Sequence, residues 1–211
     1  MLALEIQNYV DQHSNVQDPI LEEIERSTHL HTMAPQMLSG RIQGAFLTLL
    51  TSLVQAKHVL EIGTFTAYGT VCLARGLAAD PKSRVVTLEA NPEMRYLIDR
   101  HLEAAGMTEK AECIIGDALK IIPTRPETWD LVFIDAHKQE YLEYYKSVIE
   151  HVRPGGLILS DNVLWSGKVV HEPNDVDAKV LRQYNEMLRD DPRVHVLMLP
   201  IRDGLSIARK L

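Results

Sequence analysis

"DLVFIDAHKQEY", residues 130–141, begins as an apolar run and changes abruptly to charged side chains. Four consecutive apolar residues after Asp130 indicate a strand buried on both faces, as strands of parallel sheets are. Asp135 and Lys138 follow at once, so the strand delivers a carboxylate and an ammonium group to its carboxyl end. Ligands of open α/β sheets bind at this end of the strands. The stretch therefore predicts a buried parallel strand and a functional site together.

A second stretch, "GGLILSDNVLW" (155–165), has the same construction, because its apolar run leads into Asp161 and Asn162. Taken alone, these two residues would more simply form a turn or cap a helix. The carboxyl ends of parallel strands meet at one edge of a sheet, however, so both are expected to lie beside Asp135. Carboxylate and amide oxygens suit a hard divalent cation, Mg²⁺ first and Mn²⁺ or Ca²⁺ as alternatives. The three residues together predict a metal site.

Short apolar runs alternate with amphipathic segments after the first 55 residues. We interpret as strands residues 58–63, 84–90, 111–116, 130–136 and 157–162. Helical spacing occurs between them at 68–79, 92–105, 117–122 and 139–151. Two more strands, 193–201 and 204–211, follow a helix near 175–190 and are joined by "RDG", a hairpin signal. The pattern predicts an α/β fold: an open, mostly parallel seven-stranded sheet with helices on both faces and a C-terminal antiparallel hairpin.

The first 55 residues carry three helical patterns, at 2–12, 18–30 and 40–55. A chain of 211 residues fits one domain. We therefore expect a single domain made of an N-terminal helical cap, 1–55, and a core, 56–211. The cap helices are apolar enough to cover a cofactor, to line a ligand pocket or to contact a second copy of the chain, and we expect a homodimer.

Composition excludes several classes of partner. The formal charge of −7 makes a nucleic-acid backbone a poor electrostatic partner. No stretch has the uninterrupted apolar length of a membrane span, and the N-terminus lacks the basic start of a secretion signal. Two cysteines exclude a four-cysteine metal cluster and agree with a reducing compartment. We expect a cytoplasmic protein that binds a small molecule, with no nucleic acid and no membrane among its partners.

"VLEIGTFTAYGT" joins the first strand of the core to its helix. Gly63 permits a tight turn there, and Glu89 ends the next strand, where a carboxylate can accept both hydroxyls of a ribose. The simpler alternative is an ordinary turn and a solvated strand end. A pyrophosphate cofactor requires further glycines, whereas positions 65 and 66 are Phe and Thr. Glu61 would repel pyrophosphate and suits a cationic ligand, which points to S-adenosylmethionine.

Lys138 lies three residues after Asp135, in the loop or first helical turn that follows the strand. Most lysines are simply exposed surface groups. Beside a divalent cation, however, the neutral amine is favoured, and a neutral amine accepts a proton. Lys138 is therefore a candidate general base.

These motifs together resemble the cation-dependent class I O-methyltransferases, the family of catechol and caffeoyl-CoA O-methyltransferases. The resemblance extends from about Met33 to the C-terminus. It is carried by the stretches "VLEIGTFTAYGT", "VTLEANP", "GDAL", "VFIDAHKQEY", "LSDNVLWSGKV" and "LPIRDGLSIARK". It implies a Rossmann-like class I methyltransferase fold, S-adenosyl-L-methionine as methyl donor, a divalent cation and a small phenolic acceptor.

The resemblance also implies a role for each matching residue. The cation ligands are Asp135, Asp161 and Asn162. The cofactor-binding residues are Met33, Glu61, Gly63, Phe65, Tyr68, Gly69, Glu89, Asp117, Ala118 and Asp135. The catalytic base is Lys138, and the acceptor is contacted by Lys138, Trp165 and Arg202.

Some positions depart from the family pattern. Ala67 and Gly69 replace a glycine and a serine of the catechol enzyme. The hydroxyl contact to the carboxylate of the donor is therefore either lost or supplied by Tyr68 or Thr70. Arg202 stands where a small residue is commoner, which leaves the identity of the acceptor open.

The implied reaction is methyl transfer to a hydroxyl of a catechol-like molecule, with the cation acidifying the diol and Lys138 taking the proton. Three rival functions share the fold. A nicotinamide-dependent oxidoreductase would need the missing glycines, and a methyltransferase of nucleic-acid amines carries a different strand end, typified by N-P-P-Y. A nucleoside-binding module without catalytic activity would not need all of the cation ligands and the lysine.

Overall fold

Seven strands form one sheet in the computed structural model, which describes residues 4–211. They are β1 (His58–Ile62), β2 (Arg84–Glu89), β3 (Ala111–Ile115), β4 (Trp129–Ile134), β5 (Val152–Asp161), β6 (Val194–Leu199) and β7 (Leu205–Lys210). Their order across the sheet is β3-β2-β1-β4-β5-β7-β6. β7 is antiparallel to both of its neighbours, and the other neighbouring pairs are parallel. The predicted fold class and C-terminal hairpin are confirmed.

Helices connect the strands and cover both faces of the sheet. In the described residues the α-helices are α1 (Leu4–Gln12), α2 (Pro19–His31), α3 (Arg41–Leu53), α4 (Tyr68–Gly76), α5 (Arg95–Ala104), α6 (Ala118–Ile121), α7 (Tyr141–Val148), α8 (Lys168–His171) and α9 (Val176–Asp190). The predicted helix 2–12 is confirmed from residue 4 onward, and its first two residues lie outside the described ones. Within residues 4–211, every helix is too short or too polar to cross a bilayer.

Two segments differ from the prediction. β5 begins at Val152 rather than at residue 157, although "RPGG" reads as a strand breaker. Gly155 takes a positive φ of 78° there, and the pairing with β4 shifts register at the same level, which accommodates the irregular start. Residues 165–171 form a 3₁₀ turn followed by α8, a segment to which no element was assigned from the sequence. Elements this short carry too few residues for a periodic signal.

The two faces of the sheet are covered by different helices, because successive strand residues point to opposite sides. One face packs against α7 and α9 through Leu60, Ile62, Val132, Ile134 and Ile158. The other packs against α2, α3, α4 and α5 through Val59, Val85, Leu131, Phe133 and Leu159. Glu61 and Asp161 belong to the second face by their positions in the strands. Their carboxylates consequently meet side chains of α4 and α3.

α2 begins at Pro19, with Asp18 as its N-cap. The Asp18 carboxylate accepts hydrogen bonds from the backbone N–H groups of Ile20 and Leu21 at 3.0 and 2.9 Å. The same carboxylate pairs with Arg75 of α4 at 2.8 Å. The N-terminal helices are thereby attached to the helix that follows the glycine turn.

Candidate active site

The glycine turn after β1 requires a residue without a side chain. Gly63 has a φ of 101°, and its N–H donates to the carbonyl of Leu88 at 2.9 Å. A Cβ at this position would lie 2.1 Å from the backbone oxygen of Asp135. The turn and the end of β4 therefore touch through their backbones, and only glycine permits this approach. We call Glu61, residues 63–70 and Glu89 the donor side of the site.

Glu89 holds the glycine turn in place. One of its oxygens accepts the N–H of Phe65 and the other accepts the N–H of Asn91, both at 2.8 Å. Phe65 has a φ of 52°, which a bulky residue adopts only when its surroundings enforce it. Each carboxylate oxygen has two lone pairs, so Glu89 still has acceptor capacity at the end of β2.

Glu61 is buried beneath the start of α4. Its Oε2 accepts hydrogen bonds from the hydroxyls of Thr70 and Thr87, the second at 2.6 Å. Its Oε1 accepts none from the described residues and lies 2.5 Å from where a Cβ of Gly69 would be, so glycine is needed there as well. Burial raises the pKa of Glu61 to about 8, and the nearby charges of Asp135 and Glu89 add to this rise.

The hydroxyl expected from Tyr68 or Thr70 is not available to a ligand in this arrangement. The Thr70 hydroxyl donates to Glu61. The Tyr68 side chain is buried against α3, with a ring carbon 3.0 Å from a Cβ placed at Gly44. The backbone N–H groups at the start of α4 have no partners within the helix and remain as donors at this end of the sheet. Whether Tyr68 and Gly69 contact a cofactor stays a prediction.

The remaining predicted cofactor residues are Asp117 and Ala118, which follow β3 beside β2, and Met33, which follows α2. Asp117 caps α6 by accepting the N–H of Leu119 at 3.0 Å. Its pKa is lowered, first by its hydrogen bond with Lys120. Ala118 is buried behind it. Met33 is fully exposed in the connection after α2. Their cofactor roles stay predictions.

Asp135, Asp161 and Asn162 lie at the ends of the neighbouring strands β4 and β5, and with Lys138 they form what we call the cation side. Asp161 is 2% exposed. Burial raises its pKa to about 6, and the charge of Asp135 is the second cause. Asn162 has a left-handed backbone, with a φ of 57°, and its N–H donates to Asp161 at 2.8 Å. The predicted residues share one edge of the sheet.

Lys138 is nearly buried and is held by two side chains. Its Nζ donates to Asp135 at 3.1 Å and to the hydroxyl of Tyr141 at 2.5 Å. The Tyr141 hydroxyl in turn donates to the backbone carbonyl of Asp161 at 2.9 Å. Burial raises the pKa of Tyr141 well above its ordinary range, so its hydroxyl stays protonated. Tyr141 therefore ties the lysine to the ends of both strands.

The oxygen ligands of the cation side fit a hard divalent cation. Within residues 4–211 no group of three or more His, Cys, Asp and Glu side chains is arranged to hold a metal. The predicted ligand set differs from such groups, since it combines two carboxylates with one amide. Asp135 and Asp161 repel each other, and among residues 4–211 the single salt bridge of Lys138 is to Asp135. This local excess of negative charge is what a divalent cation would neutralise.

Comparison with known proteins identifies the family. The family model described as O-methyltransferase matches residues 11–211. The chain belongs to the O-methyltransferase family. A curated relative, caffeoyl-CoA O-methyltransferase 5 of Nicotiana tabacum, is 35% identical over 188 residues, covering 83% of this chain and 78% of the relative. The predicted family resemblance and enzyme class are confirmed.

Two solved O-methyltransferases have the same architecture. The enzyme TomG of Streptomyces achromogenes, in complex with S-adenosylmethionine (SAM), is 32% identical, with a TM-score of 0.89 over 100% of this chain and 99% of that one. The O-methyltransferase of Bacillus cereus, in complex with SAH, is 30% identical, with a TM-score of 0.88 over 98% of this chain and 97% of that one.

The acceptor residues predicted for this O-methyltransferase lie on two loops that are bonded to each other. Trp165 lies in the loop after β5 with a positive φ of 48° and packs on the α7–α9 core. Arg202 lies in the turn between β6 and β7. Two backbone hydrogen bonds join the loops: the N–H of Leu164 donates to the carbonyl of Asp203 at 2.9 Å, and the N–H of Val163 donates to the carbonyl of Gly204 at 3.1 Å. Contact of Trp165 and Arg202 with an acceptor stays a prediction.

A hydrogen-bonded network that the sequence did not predict joins the N-terminal helices to the donor side. His101 of α5 contacts the carbonyl of Thr66 and the hydroxyl of Ser27, both at 2.8 Å. The hydroxyls of Thr28 and Thr66 are 2.9 Å apart. Burial lowers the pKa of His101. α2 thus holds the glycine turn of this O-methyltransferase from outside.

Tyr141 and Gln43 are further site residues that the sequence did not predict. The spacing Lys138-x-x-Tyr141 on one helical turn could have indicated the first. Nothing near Gln43 in the sequence signals its contact with Asp161, to which its side-chain amide donates at 2.7 Å.

Proposed function

We propose that this O-methyltransferase transfers the methyl group of S-adenosylmethionine to a hydroxyl of a catechol-like phenol at a divalent cation site. The observation that carries the proposal is the junction of the two sides, where Gly63 touches the backbone of Asp135. Two solved relatives, one in complex with SAM and one with SAH, support the donor. The caffeoyl-CoA O-methyltransferases among the relatives support a phenolic acceptor.

The donor side supplies a partner for each part of S-adenosylmethionine. Glu89 has free lone pairs for the ribose hydroxyls, and Oε1 of Glu61 suits the ammonium group. The N–H groups at the start of α4 suit the carboxylate of S-adenosylmethionine, because the positive end of the helix dipole lies there and attracts an anion. Asp117 and Ala118 follow β3, the neighbour of the strand that ends in Glu89, and we assign them to the adenine. The two carboxylates, Glu61 and Glu89, disfavour a pyrophosphate on this side.

The cation side supplies the chemistry at the acceptor. Asp135, Asp161 and Asn162 would hold Mg²⁺ or a similar ion, which when bound makes a phenolic hydroxyl easier to deprotonate. Lys138 accepts the phenolic proton on Nζ, where Tyr141 and Asp135 orient it. The phenolate oxygen then attacks the methyl carbon as the carbon–sulfur bond breaks, and S-adenosylhomocysteine leaves. Charge disappears in this step, so alignment by the protein is the main contribution.

The test is a donor-consumption assay over a panel of catechols, flavonoids and matched monophenols. Each acceptor is measured with Mg²⁺ and with chelator. We expect turnover of vicinal diols that chelator abolishes and Mg²⁺ restores, and little turnover of monophenols. Equal rates on monophenols, or rates insensitive to chelator, would contradict the proposal. Donor binding without turnover on any acceptor would support a nucleoside-binding module instead. Single-stranded nucleic acid is included as an acceptor, because its methylation would support the rival function of a methyltransferase of nucleic-acid amines.

We also propose that the chain forms a homodimer, as the apolar N-terminal helices led us to expect. Light scattering at micromolar concentration tests this directly. A single-chain mass of 23.9 kDa under these conditions would contradict it.

A further inference from the structure

Gln43 is a polar residue in a buried row of side chains on α3. On α3, the residues Gln43, Leu47 and Thr51 recur every four positions and are all fully buried against the sheet. Leu47 packs in the same apolar cluster as Leu159 of β5. Asp161 lies two residues further along the same face of that strand. Gln43 is therefore placed opposite Asp161, at the edge of the sheet that carries the site.

The amide of Gln43 fixes the carboxylate of Asp161. Nε2 of Gln43 donates to Oδ2 at 2.7 Å, and the N–H of Asn162 donates to Oδ1 at 2.8 Å. A carboxylate only accepts hydrogen bonds, so it must face the NH₂ group of the amide. Each oxygen of Asp161 then keeps one lone pair. These two contacts determine the direction in which the remaining lone pairs point.

The other half of the amide has no partner. Oε1 of Gln43 is buried and accepts no hydrogen bond from the described residues. Burying an unpaired amide oxygen opposes folding, and an apolar residue of similar size would avoid this. Unsatisfied buried groups of this kind are uncommon and point to a role other than stability.

The contact also preserves the charge of Asp161. Among residues 4–211, no lysine or arginine forms a salt bridge with this carboxylate, whereas Asp135 is paired with Lys138. A neutral amide orients a carboxylate without neutralising it. A lysine or arginine at position 43 would instead compete with any cation for the same oxygens.

We propose that Gln43 is a positioning residue for the cation side, which orients the carboxylate of Asp161 and thereby sets the affinity for a divalent cation. The inference rests on the proposed function, because it assumes a cation at Asp135, Asp161 and Asn162. The ligands of this site all come from strand ends, and the inference means that a residue of an N-terminal helix helps to hold one of them in place. Outer partners of metal ligands commonly change metal affinity by about 10- to 100-fold when removed.

The test is the binding of Mn²⁺ alone, measured by calorimetry and by the paramagnetic resonance signal of the free ion. Gln43→Met keeps the length of the side chain and removes the donor. Gln43→Asn keeps the amide and withdraws it by one methylene. Thr51→Val is the matched control, because Thr51 lies in the same row and its hydroxyl bonds only to its own helix at Leu47.

We expect both Gln43 variants to bind Mn²⁺ about 10- to 100-fold more weakly than the unmodified protein, with S-adenosylhomocysteine affinity within about twofold. Thr51→Val should leave both affinities unchanged. If the role of Gln43 were purely structural, its variants would lower both affinities or neither, and that result would overturn the inference. An unchanged Mn²⁺ affinity in either folded variant would overturn it as well. Absence of Mn²⁺ binding to the unmodified protein would overturn the cation site itself, which separates failure of the proposed function from failure of the role of Gln43.

Discussion

Glu89 and Asp161 both end strands of the sheet, yet their surroundings differ. Both oxygens of Glu89 accept backbone N–H groups of adjacent loops, and the residue is partly exposed. Asp161 is buried, receives one backbone N–H group and one amide from a distant helix, and is close enough to Asp135 for the two charges to repel. Glu89 is thus held by neutral backbone groups of its own loops, whereas Asp161 faces a second carboxylate whose charge its own hydrogen bonds do not balance.

This difference predicts that the two sides can be impaired separately. Substitutions on the cation side should lower turnover and leave donor affinity intact. Substitutions on the donor side should lower donor affinity and change its dependence on pH.

Asp135→Ala should lower turnover by about 10³-fold or more, because loss of a cation ligand removes several kcal/mol of stabilisation. Much of the affinity for S-adenosylhomocysteine should remain, since the Asp135 side chain forms no hydrogen bond to Glu61, residues 63–70 or Glu89 in the described part of the chain. The measurements are turnover with saturating Mg²⁺ and calorimetric binding of S-adenosylhomocysteine. Asp99→Ala, which removes an exposed carboxylate paired with Arg95, is the control. Near-normal turnover of the Asp135 variant in chelator would contradict the cation assignment.

Lys138→Met should lower turnover by about 10²- to 10⁴-fold near neutral pH, the usual contribution of a general base. The loss should shrink as pH rises, because the phenol then loses its proton to solvent. A pH–rate profile of the variant and the unmodified enzyme measures this. Lys146→Met serves as the control, since Lys146 lies on α7 and pairs with Glu143 at the surface. A deficit that is equal at every pH would show that Lys138 does not take the proton.

Glu61→Gln tests the donor side. With a pKa of about 8, Glu61 is largely protonated at pH 6 and must ionise to pair with an ammonium group. Affinity of the unmodified enzyme for S-adenosylhomocysteine should therefore rise by up to about tenfold per pH unit below 8 and then level off. The variant should bind about 10- to 100-fold more weakly at pH 8, with a flat profile. Calorimetry from pH 6 to pH 9 measures this, with exposed Glu93→Gln as the control.

The same residue predicts a change in stability with pH. The pKa of Glu61 is higher in the folded chain than its ordinary value of 4.5, so the folded chain binds more protons between these two values. The free energy of unfolding without ligand should therefore fall as pH rises through this window. Glu61→Gln should lose this contribution, which denaturant titrations at pH 5 and pH 8 would detect. An unchanged difference between the two pH values would contradict the raised pKa.

The strand ends and the glycine turn could be predicted from the sequence because their signals are local. An apolar run followed by Asp135 or by Asp161 is visible within a few residues. Gln43 could not be predicted in this way. It is 118 positions away from Asp161 and lies in an amphipathic helix. Only the docking of α3 on the sheet brings the two together.

His101 shows the same limit on the donor side. Its helix has an ordinary amphipathic pattern, and its bonds to Thr66 and Ser27 span 35 and 74 positions. For Glu61 the sequence indicated a residue facing a ligand. The structure adds that Glu61 also joins β1, β2 and α4 through Thr70 and Thr87. Local patterns thus identify which groups reach the site, and long-range packing determines how they are held.

Arg202 tests a third region, the turn between β6 and β7, where the smallest effect is expected. Its backbone is left-handed, with a φ of 49°, and its guanidinium lies 3.7 Å from where a Cβ of Gly40 would be, just before α3. In the described part of the chain it forms no salt bridge, so its charge is available to an acceptor. Arg202→Ser should raise KM about three- to fivefold for catechols that carry a carboxylate, since exposed ion pairs contribute up to about 1 kcal/mol. KM for neutral catechols and kcat should not change. Arg189→Ser, at an exposed arginine of α9, is the control. Equal changes in KM for charged and neutral acceptors would show that Arg202 shapes this turn without recognising charge.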